Sequence, residues 1–571
     1  MTFPSSPSDN DIHQAFGRRL KYKASKDVWE VVSSPLVATV TESAPKTESV
    51  AQASNLPMTG NEIGAMAYVS ESNRLYVWNG SGWFEVALVN TTPTITTGGQ
   101  ATYELNADGT PTVITLAAND PEGVPLTWSH AVSSGSLEDT TVTNADNVFT
   151  VTPGTVDAAF NLTFTASDGV NLATAASSFT LSFVPDWTLT TQQQKIQASD
   201  PQETDYFGQS VSISGDTVVV GAYYEDTGAA GAGAAYIFTR SGTTWTQQQK
   251  IQASDLQAND YFGQAVAIDG DTVVVGARLE DTVDYNTGAA YIFTRDGTTW
   301  TQQQKIQASD LQANDNFGMS VAIDGDTVVV GAQMEDTGGA EAGAAYVFTR
   351  SGTTWTQQQK IQASDKQADD NFSISVSISG DTAVVGAQYE DTGGINAGAA
   401  YIFTRSGTTW TQQQKIQASD IQADDLFGAS VSISGDTVVV GANGEDTGAS
   451  NAGAAYIFTR SGTTWTEQQK ILASDIQAND FFGWSVSIDG DTVVVGATGE
   501  DTGSSNAGAS YIFTRSGTTW TQQQKIQASD KELNDFFGNS VAIDGNTVVV
   551  GAHAEDTGGQ EVGAAYIFVG G

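Results

Sequence analysis

Residues 251–305 read IQASDLQANDYFGQAVAIDGDTVVVGARLEDTVDYNTGAAYIFTRDGTTWTQQQK, and this stretch decides the fold. It recurs almost unchanged through the last two-thirds of the chain. The Phe of its F-G-x-S-like segment falls at Phe207, Phe262, Phe317, Phe372, Phe427, Phe482 and Phe537, always 55 residues after the one before. A fixed period of this length means a ring or an array of one supersecondary unit. Within the unit four runs have strand character. Ala265–Ile268 alternates small and apolar residues. Thr272–Ala277 is a continuous β-branched run, which suits a strand buried on both faces. Ala289–Arg295 is the third run, and Thr299–Ala308 is longer and more polar, as an outer strand should be. D-G-D and R-D-G-T-T supply tight turns between the first and second pairs. Four antiparallel strands, seven times over, predict an all-β fold dominated by a seven-bladed β-propeller at 187–571. The last unit stops at Ala564–Val569 without its own outer strand. A copy of that strand stands before the first unit, at Trp187–Gln197, so the chain is expected to close the ring on itself.

The remaining composition narrows the function. The 571 residues carry a net charge of −43, and neither Lys nor Arg occurs between Val77 and Gln194. Such a surface repels nucleic acid and anionic membranes, which bind through Lys and Arg. There is no Cys, so no disulfide. No apolar run reaches the length of a membrane span. The start, M-T-F-P-S-S-P-S-D-N-D-I-H, lacks the basic and apolar regions of a Sec signal. P-loop, H-E-x-x-H and G-x-S-x-G motifs are missing. Seven equivalent copies argue for architecture rather than catalysis, and no enzyme is expected. The F-S-I-S of the fourth unit (Phe372–Ser375) is a packing-level departure.

F-G-x-S-V and V-V-V-G-A together resemble the FG-GAP repeat family, seen in integrin α-subunit propellers and in bacterial and phage surface proteins. The resemblance covers about Trp187–Gly571. It implies the propeller but not a particular function. Calcium-binding members carry a D-x-D-x-D-G loop between these two segments. Here the connection is only I-D-G-D-T or I-S-G-D-T, for example Asp269–Thr272. That is too short to wrap a cation with six to eight oxygens, so the family's calcium loop is not carried over.

Strand alternation puts both short turns on one rim and both long loops on the other. The copies differ on the long-loop rim. The mid-blade loop opens with Tyr223-Tyr224, Arg278-Leu279, Gln333-Met334, Gln388-Tyr389, Asn443-Gly444, Thr498-Gly499 or His553-Ala554. A rigid core with divergent loops on one face is how scaffolds present binding residues. The candidate contact residues are Tyr223, Tyr224, Arg278, Tyr285, Asn286, Met334, Tyr389, Asn396, Asn443 and His553. Tyr223, Tyr224, Tyr285 and Tyr389 are expected to be exposed and to suit a carbohydrate or protein. Neutral drift in unconstrained loops is the competing account. The same rim repeats carboxylates: Asp200, Asp205, Glu225 and Asp226 in one unit, Asp255, Asp260, Glu280 and Asp281 in the next. Either they cap turns, or they hold calcium between the two loops of a blade. The repeated Trp set (Trp245 to Trp520) is expected between blades.

Ahead of the propeller three modules are expected. Residues 1–32 and 56–89 read as two small β-modules, with 33–55 as a Ser/Thr/Ala-rich linker, and 90–186 reads as a β-sandwich spacer. A-N-D-P-E-G-V-P-L-T-W (Ala118–Trp128) resembles Ig-like and cadherin-like domains; Asp120 and Glu122 suit a turn better than a metal. The segment G-A-M-A-Y-V…R-L-Y-V-W-N-G-S-G-W resembles modules of phage tail fibres and other virion structural proteins. That resemblance implies a virion protein whose N-terminal modules, with basic Arg18–Lys26, dock on other virion proteins. Its propeller would then face outward to a host surface glycan or protein, and a trimer follows by analogy with other fibres. A bacterial surface or secreted adhesion propeller is the alternative.

Overall fold

The computed structural model describes residues 91–570 except 98–101, 106–109, 122, 155–157 and 182–185. Ahead of residue 91 it describes residues 63, 65–69 and 74–86 and the strands at 12–15, 18–23, 28–31 and 47–50. The chain divides into two compact units, Met1–Phe183 and Val184–Gly571.

In the first unit, Ile12–Ala15, Arg18–Lys23 and Val28–Val31 form a three-stranded antiparallel meander. Met66–Val69, Arg74–Trp78 and Trp83–Val86 form a second. Its last turn is held by Asn79, whose Oδ1 accepts the Ser81 and Gly82 N–H groups at 3.0 and 2.9 Å. Thr47–Val50, assigned by composition to a linker, is a strand paired parallel to Met66–Val69. The second module therefore begins inside the 33–55 segment. Residues 94–181 build two larger facing sheets and a two-stranded one, Thr94–Thr97 with Ala117–Asn119. Of the facing pair, one holds Thr127–Gly135, Ala158–Ser167, Leu172–Leu181 and Thr102–Glu104; the other holds Thr112–Thr115, Val148–Thr152 and Thr141–Ala145. Ile114, Phe149, Phe160, Leu162, Phe164 and Phe179 fill the space between them. Asp120 makes a turn, accepting Val124 N–H at 2.8 Å on Oδ1 and Gly123 N–H on its carbonyl.

The second unit is a seven-bladed propeller, each blade a four-stranded antiparallel sheet. The blade read first in the sequence comprises Phe262–Asp269, Thr272–Ala277, Ala289–Asp296 and Thr299–Ile306. First strands of neighbouring blades adjoin all the way round, so they are innermost and line the axis. Every residue of T-V-V-V-G-A is buried, because sheets pack on both of its faces. Phe262 meets Tyr291 and Phe293 edge-on at 5.5 and 5.9 Å, and the same triplet recurs in all seven blades. Trp245, Trp300, Trp355, Trp410, Trp465 and Trp520 are buried between blades, as expected. Burying each such ring contributes roughly 1.5–3 kcal/mol.

The polar outer strand has a second cause beyond its edge position. Two glutamines of Q-Q-Q strap one blade to the next, and the first holds the loop that enters its own blade. Gln249 both donates to the Trp300 carbonyl (2.7 Å) and accepts its N–H (2.8 Å). Gln248 accepts the Trp300 indole N–H at 2.8 Å, and Gln247 accepts Ser199 N–H at 2.9 Å.

Closure follows the expected pairing with one correction. The strand is Thr191–Ile196, antiparallel to Ala564–Val569, not all of Trp187–Gln197. Trp187–Leu189 is a 3-10 turn capped by Asp186. In register with the repeat, the Trp of this strand should stand at residue 190, where the chain has Thr190. The turn carries Trp187 back into the core beside Phe537, Tyr566 and Phe568, where it is 1 % exposed and does for the seventh blade what Trp245 does for the first. Thr190 keeps the backbone role, accepting Gln524 Nε2 at 3.2 Å.

Candidate functional site

The long-loop rim is built twice over: a repeated inner scaffold and a variable ring at the mouth of the axis. In each blade a lysine of the outer strand reaches the two long loops. Lys250 Nζ lies 2.6 Å from Glu225 Oε1 and 2.8 Å from Asp200 Oδ2. Tyr236 donates to Asp200 at 3.0 Å, and Gln252 donates to Glu225 Oε2 at 3.1 Å. The lysine's contacts with glutamate and aspartate repeat around Lys305, Lys360, Lys415, Lys470, Lys525 and, on the closing strand, Lys195. The tyrosine bond recurs at Tyr456, Tyr511 and Tyr566, and Leu472 replaces the glutamine in the fifth blade. Glu225 and Glu280 are fully buried. Burial opposes the Asp200 carboxylate, but hydrogen bonds from Lys250 and Tyr236 outweigh it and hold the group below the usual range.

The position between the loops that a divalent cation would take is thus filled by an ammonium group. Asp226 closes its own loop by accepting Gly231 N–H at 2.7 Å, and Asp281 lies exposed. Asp205 and Asp260 accept Gln202 and Gln257 N–H groups at 2.9 and 2.8 Å. Burial pushes both carboxyls up to about 7. Among the described residues no group of three or more His, Cys, Asp or Glu side chains is arranged to hold a metal.

The variable ring is made by two positions per unit: the residue before each F-G and the first residue of each mid-blade loop. Around part of the mouth these are aromatic and touch in series. Phe536 stacks on His553 at 5.6 Å, and His553 meets Tyr206 at 5.8 Å. Tyr206 stacks on Tyr223 at 5.4 Å, and Tyr223 meets Tyr261 edge-on at 5.3 Å. Arg278 ends the series with its guanidinium 5.6 Å from the Tyr261 ring centre. Tyr224 packs against Tyr206, Tyr223 and Tyr261. Tyr223 and Tyr224, expected to be exposed, are therefore half-buried. The corresponding places elsewhere hold Asn316, Gln333, Asn371, Gln388, Leu426 and Asn443. A seven-fold scaffold thus carries a one-sided aromatic arc.

At the arc's far end is a pocket of about 290 Å³ between the sixth and seventh blades, lined by Phe481, Trp484, Asn506, Phe536, Asn539 and His553 among others. Trp484 is 43 % exposed and meets Phe481 at 6.3 Å. Burial lowers the His553 imidazole to about 4, so it is neutral at physiological pH. The pocket offers flat apolar faces beside side-chain amides, which can stack on a ring and hydrogen-bond its substituents.

Of the candidate contact residues, Tyr223, Tyr224, Arg278 and His553 come together in the arc. The others do not join it. Tyr285 and Tyr389 are 64 % and 37 % exposed on the mid-blade loops of the second and fourth blades. Asn286 and Asn396 tie their loops to Asn314 and Asp424. Met334 sulfur takes the Asn316 amide at 2.9 Å, and Asn443 is buried. Sequence reasoning missed Tyr206, Tyr261, Phe481, Trp484, Phe536 and Asn539. The signal was present: across the copies the residue before F-G runs Tyr, Tyr, Asn, Asn, Leu, Phe, Phe, aromatic only on one side of the ring.

The family model described as FG-GAP repeat matches residues 190–238, 245–293, 300–348, 355–403, 410–458, 465–513 and 520–568, more than half of the chain. No curated protein matches. A crystal structure of a structural genomics protein of unknown function from Bacteroides thetaiotaomicron VPI-5482 is 10 % identical. The similarity covers 84 % of this chain and 98 % of that one, with a TM-score of 0.35, too distant to bear on function.

Proposed function

We propose that this chain, which belongs to the FG-GAP repeat family, is a non-catalytic adhesin whose propeller binds a surface glycan through the aromatic arc of its long-loop rim. The observation that carries this is the break in symmetry. Packing demands near-identical residues in all blades, and the inner scaffold supplies them; the mouth of the axis departs on one side, toward half-exposed aromatic faces beside amides. A protein partner would be met more often by a broad apolar patch than by a pocket of this size. Trp484→Ala tests it. Ala429 occupies the same place in the fifth blade, so the fold accepts the change. Glycan retention should fall roughly two- to tenfold, the loss of one aromatic stacking contact, with the melting temperature unmoved. Equal retention by the variant defeats the reading.

The finer assignment is to a virus particle, as a tail fibre or other outward-facing adhesin. Its support is the sequence of the two N-terminal modules; Arg18–Lys26, the basic segment expected to dock on a neighbour, lies outside the described side chains. Negative-stain microscopy of particles labelled with an antibody to the propeller should decorate their exterior. Particles that stay bare while the bacterial surface is labelled favour a cellular adhesion propeller instead.

A further inference from the structure

The propeller holds sixteen basic side chains, and almost all have fixed employment. Seven lysines neutralise the buried glutamates described above. Six arginines, Arg240, Arg295, Arg350, Arg405, Arg460 and Arg515, pair with aspartates of the short turns on the opposite rim. They also bond a threonine of the preceding blade, as Arg350 does Thr272 at 3.1 Å. Lys531 donates to Gln527, and Lys366 lays its stem against Gly338. Arg278 is different. Among the described residues no carboxylate pairs with it, in a chain of net charge −43. It is half-buried, its neighbours are Tyr223 and Tyr261, and its Nε is buried with no hydrogen-bond partner.

From this geometry we infer that the glycan bound by the aromatic arc is acidic at one point, and that its carboxylate or sulfate pairs with Arg278. The inference rests on the glycan reading above. A guanidinium held against aromatic rings has lost water without gaining an anion, and its planar fork matches a carboxylate or sulfate in two parallel hydrogen bonds. Desolvation lowers its affinity for its own proton, which is the same unmet demand seen from the arginine. Tyr261 and Tyr223 beside it can face the apolar side of the sugar that bears the anion. The repeated carboxylates of the rest of the rim repel further charge. The site should therefore favour a saccharide with a single acidic residue over a dense polyanion.

The test uses the full chain on an array carrying matched neutral, carboxylated and sulfated forms of the same oligosaccharides. Acidic forms of at least one core should be retained about tenfold more strongly than the neutral form, the scale of one charge-assisted hydrogen-bond pair. The carboxylated and sulfated arms tell which anion is read. Arg278→Gln should abolish the preference; Gln333 and Gln388 occupy this place in the next two blades, so the fold tolerates it. Arg278→Lys should keep part of it. Equal retention of neutral and acidic forms, or a preference that survives in Arg278→Gln, overturns the inference while leaving glycan binding intact. Retention of no oligosaccharide overturns the glycan reading and this inference together.

Discussion

Each lysine of the repeat solves a problem that its own blade creates. Glu335 is fully buried, and Lys360 Nζ lies 2.7 Å from it and 5.5 Å from the centre of the Tyr346 ring. Breaking a buried pair by removing one partner leaves an uncompensated charge, at a cost of about 3–5 kcal/mol. Lys360→Met should therefore lower stability by about that amount in denaturant titration, while Glu335→Gln combined with it should recover much of the loss. The recurrent FG glycine is set by geometry in the same way. Gly428 has φ +95, and a Cβ there would meet Ala399 O at 2.3 Å. The fourth blade keeps the conformation with Ser373, at φ +80, by turning the clash into a bond. Its Oγ donates to Ala344 O at 2.7 Å and accepts Ala332 N–H at 3.0 Å. The repeat made these structural residues legible, since what recurs seven times is what packing requires. It concealed Trp484 for the converse reason. Trp484 stands at the x of F-G-x-S, and its meaning lies in Phe481 and the blade beyond, not in its own repeat.

At the scale of the strand, periodicity located nearly every element, because a two-faced β-branched run bounded by G-D-T and G-A-A has few alternatives. It could not place Trp187. That residue is three positions out of register, and only the 3-10 turn over Asp186 restores it to the core. The closing strand is consequently held by more than its ladder. It has Trp187 in the last core, Lys195 on Glu555 at 2.7 Å, and Gln194 on Trp245 of the first blade at 2.8 Å. Deleting Trp187–Ser199 should lower the melting temperature by well over ten degrees and broaden the transition, since it opens both the seventh blade and its seam with the first. Calorimetry of the truncated chain checks this. An unchanged, sharp transition would mean that the strand forms only a local hairpin.

Over the whole molecule, charge and burial combine to give the stability a sign with pH. Asp205 and Asp260 are raised by burial to about 7, and Asp315, Asp370, Asp425, Asp480 and Asp535 to about 6. A raised carboxyl binds its proton more tightly in the folded state. Its stabilisation is present below the unfolded value near 3.8 and is lost as pH rises through 6 to 7. His553, lowered to about 4, works the other way, but it is one group against seven. The melting temperature should therefore rise from pH 8 to about pH 5. Below about pH 4 it should fall, as Asp200 and its equivalents, held low by lysine and tyrosine, take up protons. Differential scanning fluorimetry across this range checks both limbs, and a monotonic fall from pH 8 would contradict them. One consequence of the closure is mechanical. The polypeptide that leaves the N-terminal unit runs directly into Trp187 and Thr191–Ile196, the strand that seals the ring. A tension applied between an anchored N-terminus and a ligand gripped on the rim is delivered first to that seam. The clasp that keeps the wheel shut is also its covalent link to the N-terminal unit.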